Sequence, residues 1–193
     1  DAFLADYLGG KTADYTNVRG NDNNGSSFIL GTPDPINREP WANVLNAKGD
    51  FEKIREWVDI PHLIDFMLMW YFGNAESEFR SAGPIQPGSS GFKFWLGDAD
   101  GHIRAPGDRT GNSGPAGIFG TLVNEGNPDF MTLLADRAQM HLFNDGALTP
   151  NRNIRRLERR MDEIKNSLVT ESARWGYRSS SSWENAARNA INN

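Results

Sequence analysis

The sequence predicts a mainly α fold of α+β type with a few short strands, and three observations carry that prediction. Residues 63–72 are apolar almost without interruption, a run longer than a typical strand and suited to a helix buried on all sides. Ile154, Leu157, Met161, Ile164 and Leu168 recur at three- and four-residue spacing, which marks one stripe of a long amphipathic helix. Between these, residues 92–96 place Phe92 and Phe94 on alternate positions with Trp95 opposite, the pattern of a single short strand.

Taken in order, residues 1–40 are rich in Gly, Asn, Asp, Thr and Pro and read as an irregular flank. Within it, Phe3, Leu4, Tyr7 and Leu8 have helical spacing ahead of Gly9 and Gly10, and residues 28–30 form a short strand. Residues 41–193 form the helical remainder. Pro40 opens a helix to residue 47, and Asp50 caps another that runs to Trp57. Asp59 caps the central helix, with Pro61 in its first turn and His62 and Asp65 as its polar interruptions. Asp65 reads as a semi-buried acid that has found partners, because unpaired buried charge is costly.

Residues 81–91 have the Gly, Pro, Ser and Gln content of an exposed loop, and residues 98–120 read as a long glycine-rich loop. Loops of that length are functional or mobile, and His102, Arg104 and Arg109 lie in it. A helix then starts at Pro128 and stops at Asn144 to Gly146. Another runs from Thr149 and Pro150 to Leu168. A further helical turn over 170–175 ends at Gly176, and residues 183–191 make a last short helix.

The chain has 193 residues, enough for one domain or part of a larger one, and it opens on Asp1, as a processed or excerpted segment does. It has no cysteine, so disulfides and thiolate chemistry are excluded, and its three histidines are far apart in sequence. The formal charge of −5 disfavours a nucleic-acid partner, and the basic run over 152–160 reads as a solvated helix face. No stretch is long and apolar enough for a membrane span, and residues 1–20 lack the pattern of a signal peptide. There is no nucleophile elbow, zinc-helix motif, Walker loop or dinucleotide fingerprint.

Two stretches carry oxygen-rich chemistry. After the central helix come Gly73, Asn74 and Glu76; after the aromatic strand come Asp98, Asp100 and Gly101. Acids that follow a helix and a strand can converge on one hard cation, Mg²⁺ or Ca²⁺, with phosphate completing the shell. The alternatives are a helix C-cap at Gly73 and Asn74 and a plain turn after the strand. An EF-hand is excluded, because its two end ligands would fall on Leu96 and Gly107.

The order of these pieces, with Ala135, Asp136 and Arg137, the run from Phe143 through Asn144, Asp145 and Gly146 to Pro150, and Glu171 through Trp175, resembles the C-terminal portion of the spore-coat CotH kinase family. The resemblance covers residues 40–176. It implies an atypical protein-kinase-like C-lobe with the N-lobe missing, residues 1–40 being a remnant of the hinge or N-lobe region. It further implies a secreted or cell-surface bacterial enzyme that transfers phosphate from ATP, with Mg²⁺ or Mn²⁺, to Ser or Thr of secreted or coat proteins. Glu76 then takes the place of the catalytic carboxylate, where the family commonly has Asp. Asp98 takes that of the metal-binding aspartate, with Asp100 and Asn74 as further ligands. The competing class is a non-catalytic structural or adhesion module of an extracellular assembly that uses the same acids for Ca²⁺ or for nothing.

Overall fold

The computed structural model describes residues 6, 11, 15–19, 28–29, 35–74, 79–84, 91–97, 107–176, 184–185, 188–189 and 191. The described part is mostly helical, as the sequence predicts. In chain order the elements are β1 (Tyr15–Arg19), β2 (Phe28–Ile29), α1 (Pro35–Ala47), α2 (Phe51–Ile54) and α3 (Ile60–Phe72). Then follow β3 (Phe79–Pro84), β4 (Lys93–Leu96), a 3-10 turn (Pro115–Gly117), α4 (Ile118–Glu125), α5 (Pro128–Leu142) and α6 (Pro150–Trp175). Among the described residues no helix is long and apolar enough to cross a membrane.

Helix α3 is the centre of the core. Asp59 caps it by accepting from His62 N at 2.9 Å, and Pro61 sits in the first turn, where a missing N–H costs nothing. Leu63, Ile64 and Met67 are completely buried. Each such side chain contributes about 1.5–3 kcal/mol through the apolar surface it removes from water. Around α3 pack Trp41 and Val44 of α1, Ile54 of α2, Phe94 of β4, Leu122 of α4 and Phe130 of α5. Phe130 meets both Phe51 and Phe119 edge-on at 6.0 Å, which locks α5 to α2 and α4.

The strands form one antiparallel sheet in the order β2-β1-β3-β4. The flank before residue 40 therefore supplies two of its strands, and Val18 of β1 is fully buried. Phe92, just ahead of β4, bridges Val58 in parallel: Phe92 N donates to Trp57 O at 2.6 Å and Asp59 N donates to Phe92 O at 3.1 Å. Gly91 makes that approach possible. Its φ is +55°, and a Cβ there would lie 2.5 Å from Asp59 N.

Several boundaries differ from the sequence-based expectation, each for a physical reason. Residues 81–84, expected in an exposed loop, belong to β3, because strands on both sides supply the hydrogen bonds that a Ser-Ala-Gly-Pro stretch does not advertise. The long loop ends at Pro115 rather than Gly120, since Ile118, Phe119 and Leu122 are buried on one face of α4. Gly120 sits inside that helix because the chain at Ser113 crosses it; a Cβ there would fall 2.5 Å from Ser113 Oγ. Helix α1 starts at Pro35 and carries Pro40 within it, Pro35 satisfying the same first-turn preference. The helix capped by Asp50 continues only to Ile54 before turns lead to Val58. The turn expected at 170–175 is the end of an unbroken α6, because nothing before Gly176, which has φ +67°, stops it. The short helix expected near residue 3 falls almost wholly outside the described residues. Residues 184–185, 188–189 and 191 are helical.

Candidate functional site

The chain leaves α3 through a turn that the sequence encodes locally. Gly73 caps the helix by donating its N–H to Met69 O at 2.9 Å, and Asn74 takes a left-handed conformation at φ +45°. Asparagine is among the few side-chain-bearing residues that adopt that region readily. Asn74 N donates to Tyr71 O at 3.1 Å, which closes the turn.

Sheet register then sets the start of β3 beside the end of β4. Phe79 of β3 pairs with Leu96 of β4. The chain therefore enters β3 at the same end at which it leaves β4. Glu76 lies three residues before Phe79 and Asp98 two residues after Leu96. One row further in, Arg80 pairs with Trp95 on one side and with Arg19 of β1 on the other.

A third segment folds onto the α3 turn. Residues 107–114 run across the end of α3, tied by Tyr71 Oη donating to Asn112 O at 2.6 Å and by Arg109 Nε donating to Asn74 Oδ1 at 3.0 Å. Gly107 touches the same carboxamide so closely that a Cβ would sit 2.7 Å from Asn74 Nδ2. Burial pushes the Tyr71 phenol above its ordinary pKa, so it remains a donor to Asn112 O. Within the segment, Asp108 accepts from Thr110 N at 2.9 Å and Thr110 Oγ1 at 2.6 Å, and these bonds hold its carboxyl below the usual range. The post-strand loop and the post-helix turn are thus in direct contact.

Of the residues singled out from sequence, Asn74 is described, and its oxygen faces Arg109. Glu76, Asp98 and Asp100, together with His102 and Arg104, lie outside the described residues.

A second polar constellation occupies the N-terminal half of α3. Asp65 accepts from Arg137 Nε of α5 at 2.6 Å and from Arg137 Nη2 through its other oxygen, and His141 Nε2 lies 3.0 Å from Asp65 Oδ1. This is the partnered acid that the sequence predicts at Asp65, and the bidentate contact holds the Arg137 guanidinium pKa up. At the N-cap of the same helix, Asp59 receives Lys93 Nζ of β4 as well as the His62 backbone N–H. Burial pushes the Asp59 carboxyl up, but its hydrogen bonds to Lys93 and His62 and the nearby positive charge bring it below the usual range. His62 Nδ1 accepts from Phe94 N at 3.3 Å. Burial, with the Lys93 charge, holds the imidazole below its ordinary value, against the opposing pull of Asp59 and Asp65.

Sequence reasoning missed the parts that Lys93 and His62 play here. The available signal was a Lys and a His in otherwise apolar stretches, the same kind of signal that singled out Asp65. No family model, curated protein or solved structure matches this chain.

Proposed function

We propose that this chain is the helical C-lobe of a secreted, CotH-type protein kinase, which transfers phosphate from ATP to Ser or Thr of an extracellular or coat protein. The observation that supports the reading is that Phe79 pairs with Leu96 and that Arg109 bonds Asn74, which join the start of β3 to the end of β4 and residues 107–114 to the turn after α3. In the sequence Glu76 precedes the first strand end, and Asp98 and Asp100 follow the second. The resemblance of residues 40–176 to that family supplies the chemistry.

In the reaction, the acceptor hydroxyl oxygen bonds to the γ-phosphorus as the bond to the β–γ bridging oxygen breaks. ADP departs, and the hydroxyl proton passes to the Glu76 carboxylate. Glu76 reaches one methylene further than the Asp common in the family, which sets the acceptor further from the turn. Asp98, Asp100 and Asn74 are an all-oxygen donor set, the kind that hard divalent cations take. Mg²⁺ or Mn²⁺ bound there supplies charge neutralisation at the phosphates. Asn74 Oδ1 accepts from Arg109, so ligation by Asn74 exchanges that bond, and the two aspartates carry most of the affinity.

Calorimetric titration of ATP with Mg²⁺ or Mn²⁺ tests the proposal. Metal-dependent binding is expected in the wild-type chain, weakened at least about tenfold in Asp98→Ala, as loss of a charged ligand implies. A chain that binds no ATP with either metal refutes the nucleotide reading. Ca²⁺ binding to that chain, lost in Asp98→Ala, identifies the non-catalytic structural module instead.

A further inference from the structure

Among the described strands β4 is the last of the sheet, and on its outer edge the Phe94 amide turns toward helix α3. An open edge presents backbone donors that need partners. At Phe94 the partner is a side chain: the amide donates to His62 Nδ1 at 3.3 Å. Phe94 is only 2% exposed and its ring packs 6.1 Å from Phe66, so water is a poor substitute for that acceptor. We infer that His62 is an acid-sensitive latch, whose neutral Nδ1 holds the edge of β4 against α3 and whose protonation releases it.

The geometry dictates the sign. An Nδ1 that accepts a hydrogen bond carries a lone pair, so the proton of the neutral ring is on Nε2. A second proton must go to Nδ1. The acceptor then becomes a donor that points at another donor, and a buried amide loses its partner. The groups around the ring do not cancel this. From α3 itself, Asp59 and Asp65 favour the imidazolium, but Asp59 is already engaged with Lys93 and Asp65 with Arg137 and His141 of α5. From β4, Lys93 opposes the added charge directly.

The folded-state pKa of His62 is lowered, so between that value and the ordinary 6.5 the unfolded chain holds the proton more tightly. Stability conferred by the latch is complete above the ordinary value. It falls as acidification proceeds through the folded value. Because β4 leads in two residues to Asp98, release of the latch loosens the strand that ends at the proposed metal site, a consequence that rests on the kinase reading.

Two-dimensional NMR of the wild-type chain between pH 7.5 and 4.5 tests the latch without nucleotide or metal, so its outcome is independent of the kinase reading. The Phe94 amide shift and the His62 ring shift are expected to move with one midpoint below 6.5. Hydrogen-exchange protection at Phe94 is expected to drop by about tenfold or more across the His62 titration. His62→Asn, whose Oδ1 can stand where Nδ1 does, is expected to keep Phe94 protected and to abolish its pH dependence. His141→Gln leaves the titration in place. A Phe94 amide that ignores the His62 midpoint, or one that loses protection equally in His62→Asn, overturns the inference; the wild-type titration decides the matter even if the variant does not fold.

Discussion

Helices α3 and α6 are both plain in the sequence, yet they do opposite work. Helix α3 has thirteen residues and buries seven of them; α6 has twenty-six and buries only Met161. On α6 the apolar stripe continues past Met161, but Ile164 is 39% exposed and Trp175 58%. Helix α6 carries exposed ion pairs along its surface, such as Arg160 with Glu163 at 2.5 Å and Glu158 with Arg188 at 2.9 Å. Such pairs contribute little each, about 0.2–0.5 kcal/mol. A strong helical pattern thus predicts that a helix forms, and says nothing of how much stability it returns to the fold.

That contrast can be broken by substitution, and the largest effect belongs to the α3 side. Phe130→Ala removes the ring that joins α5 to Phe51 and Phe119, and a cost of about 3–5 kcal/mol is expected in urea unfolding. A cost below about 1 kcal/mol removes the basis for placing the core around α3. Asp65→Asn comes next. It leaves Arg137 and His141 facing a neutral amide, and a loss of about 1–3 kcal/mol is expected. About a third of the Asp65 side chain remains accessible to water, so the loss stays below that of a fully buried pair. Ile164→Ala on α6 is the smallest: under about 1 kcal/mol, because much of the side chain is in water before the change. A larger cost would show that the exposed stripe is covered in solution, and gel filtration of the wild-type chain would then reveal the assembly.

Much of the α3 half was legible because its signals are local. Asp59 and Asp50 both act as N-caps, accepting from His62 N and Lys53 N, as their places before helical runs imply. Asn127 does the same for α5 through Asp129 N and Phe130 N. The cap at Gly73 and Asn74 was legible too, and with it the turn that begins the candidate site. Strand β3 was not, since Gly83 and Pro84 argue locally for a loop and only its neighbours on both sides make the segment a strand. Nor were the Arg109–Asn74 and Phe94–His62 contacts, which join residues 35 and 32 positions apart.

The sequence by itself determined the long helices α3, α5 and α6, the caps at Asp50, Asp59 and Gly73, the apolar centre at α3 and the need of Asp65 for partners. Each follows from spacing within one turn of a helix or from the conformational preference of a single residue. Tertiary structure decided which residues answer those needs, Arg137 and His141 for Asp65 and Lys93 for Asp59, and the register that sets the start of β3 beside the end of β4. The physical reason is range. Caps and periodicity act across three or four residues, whereas strand register and ion pairing form between segments that meet only when the core closes.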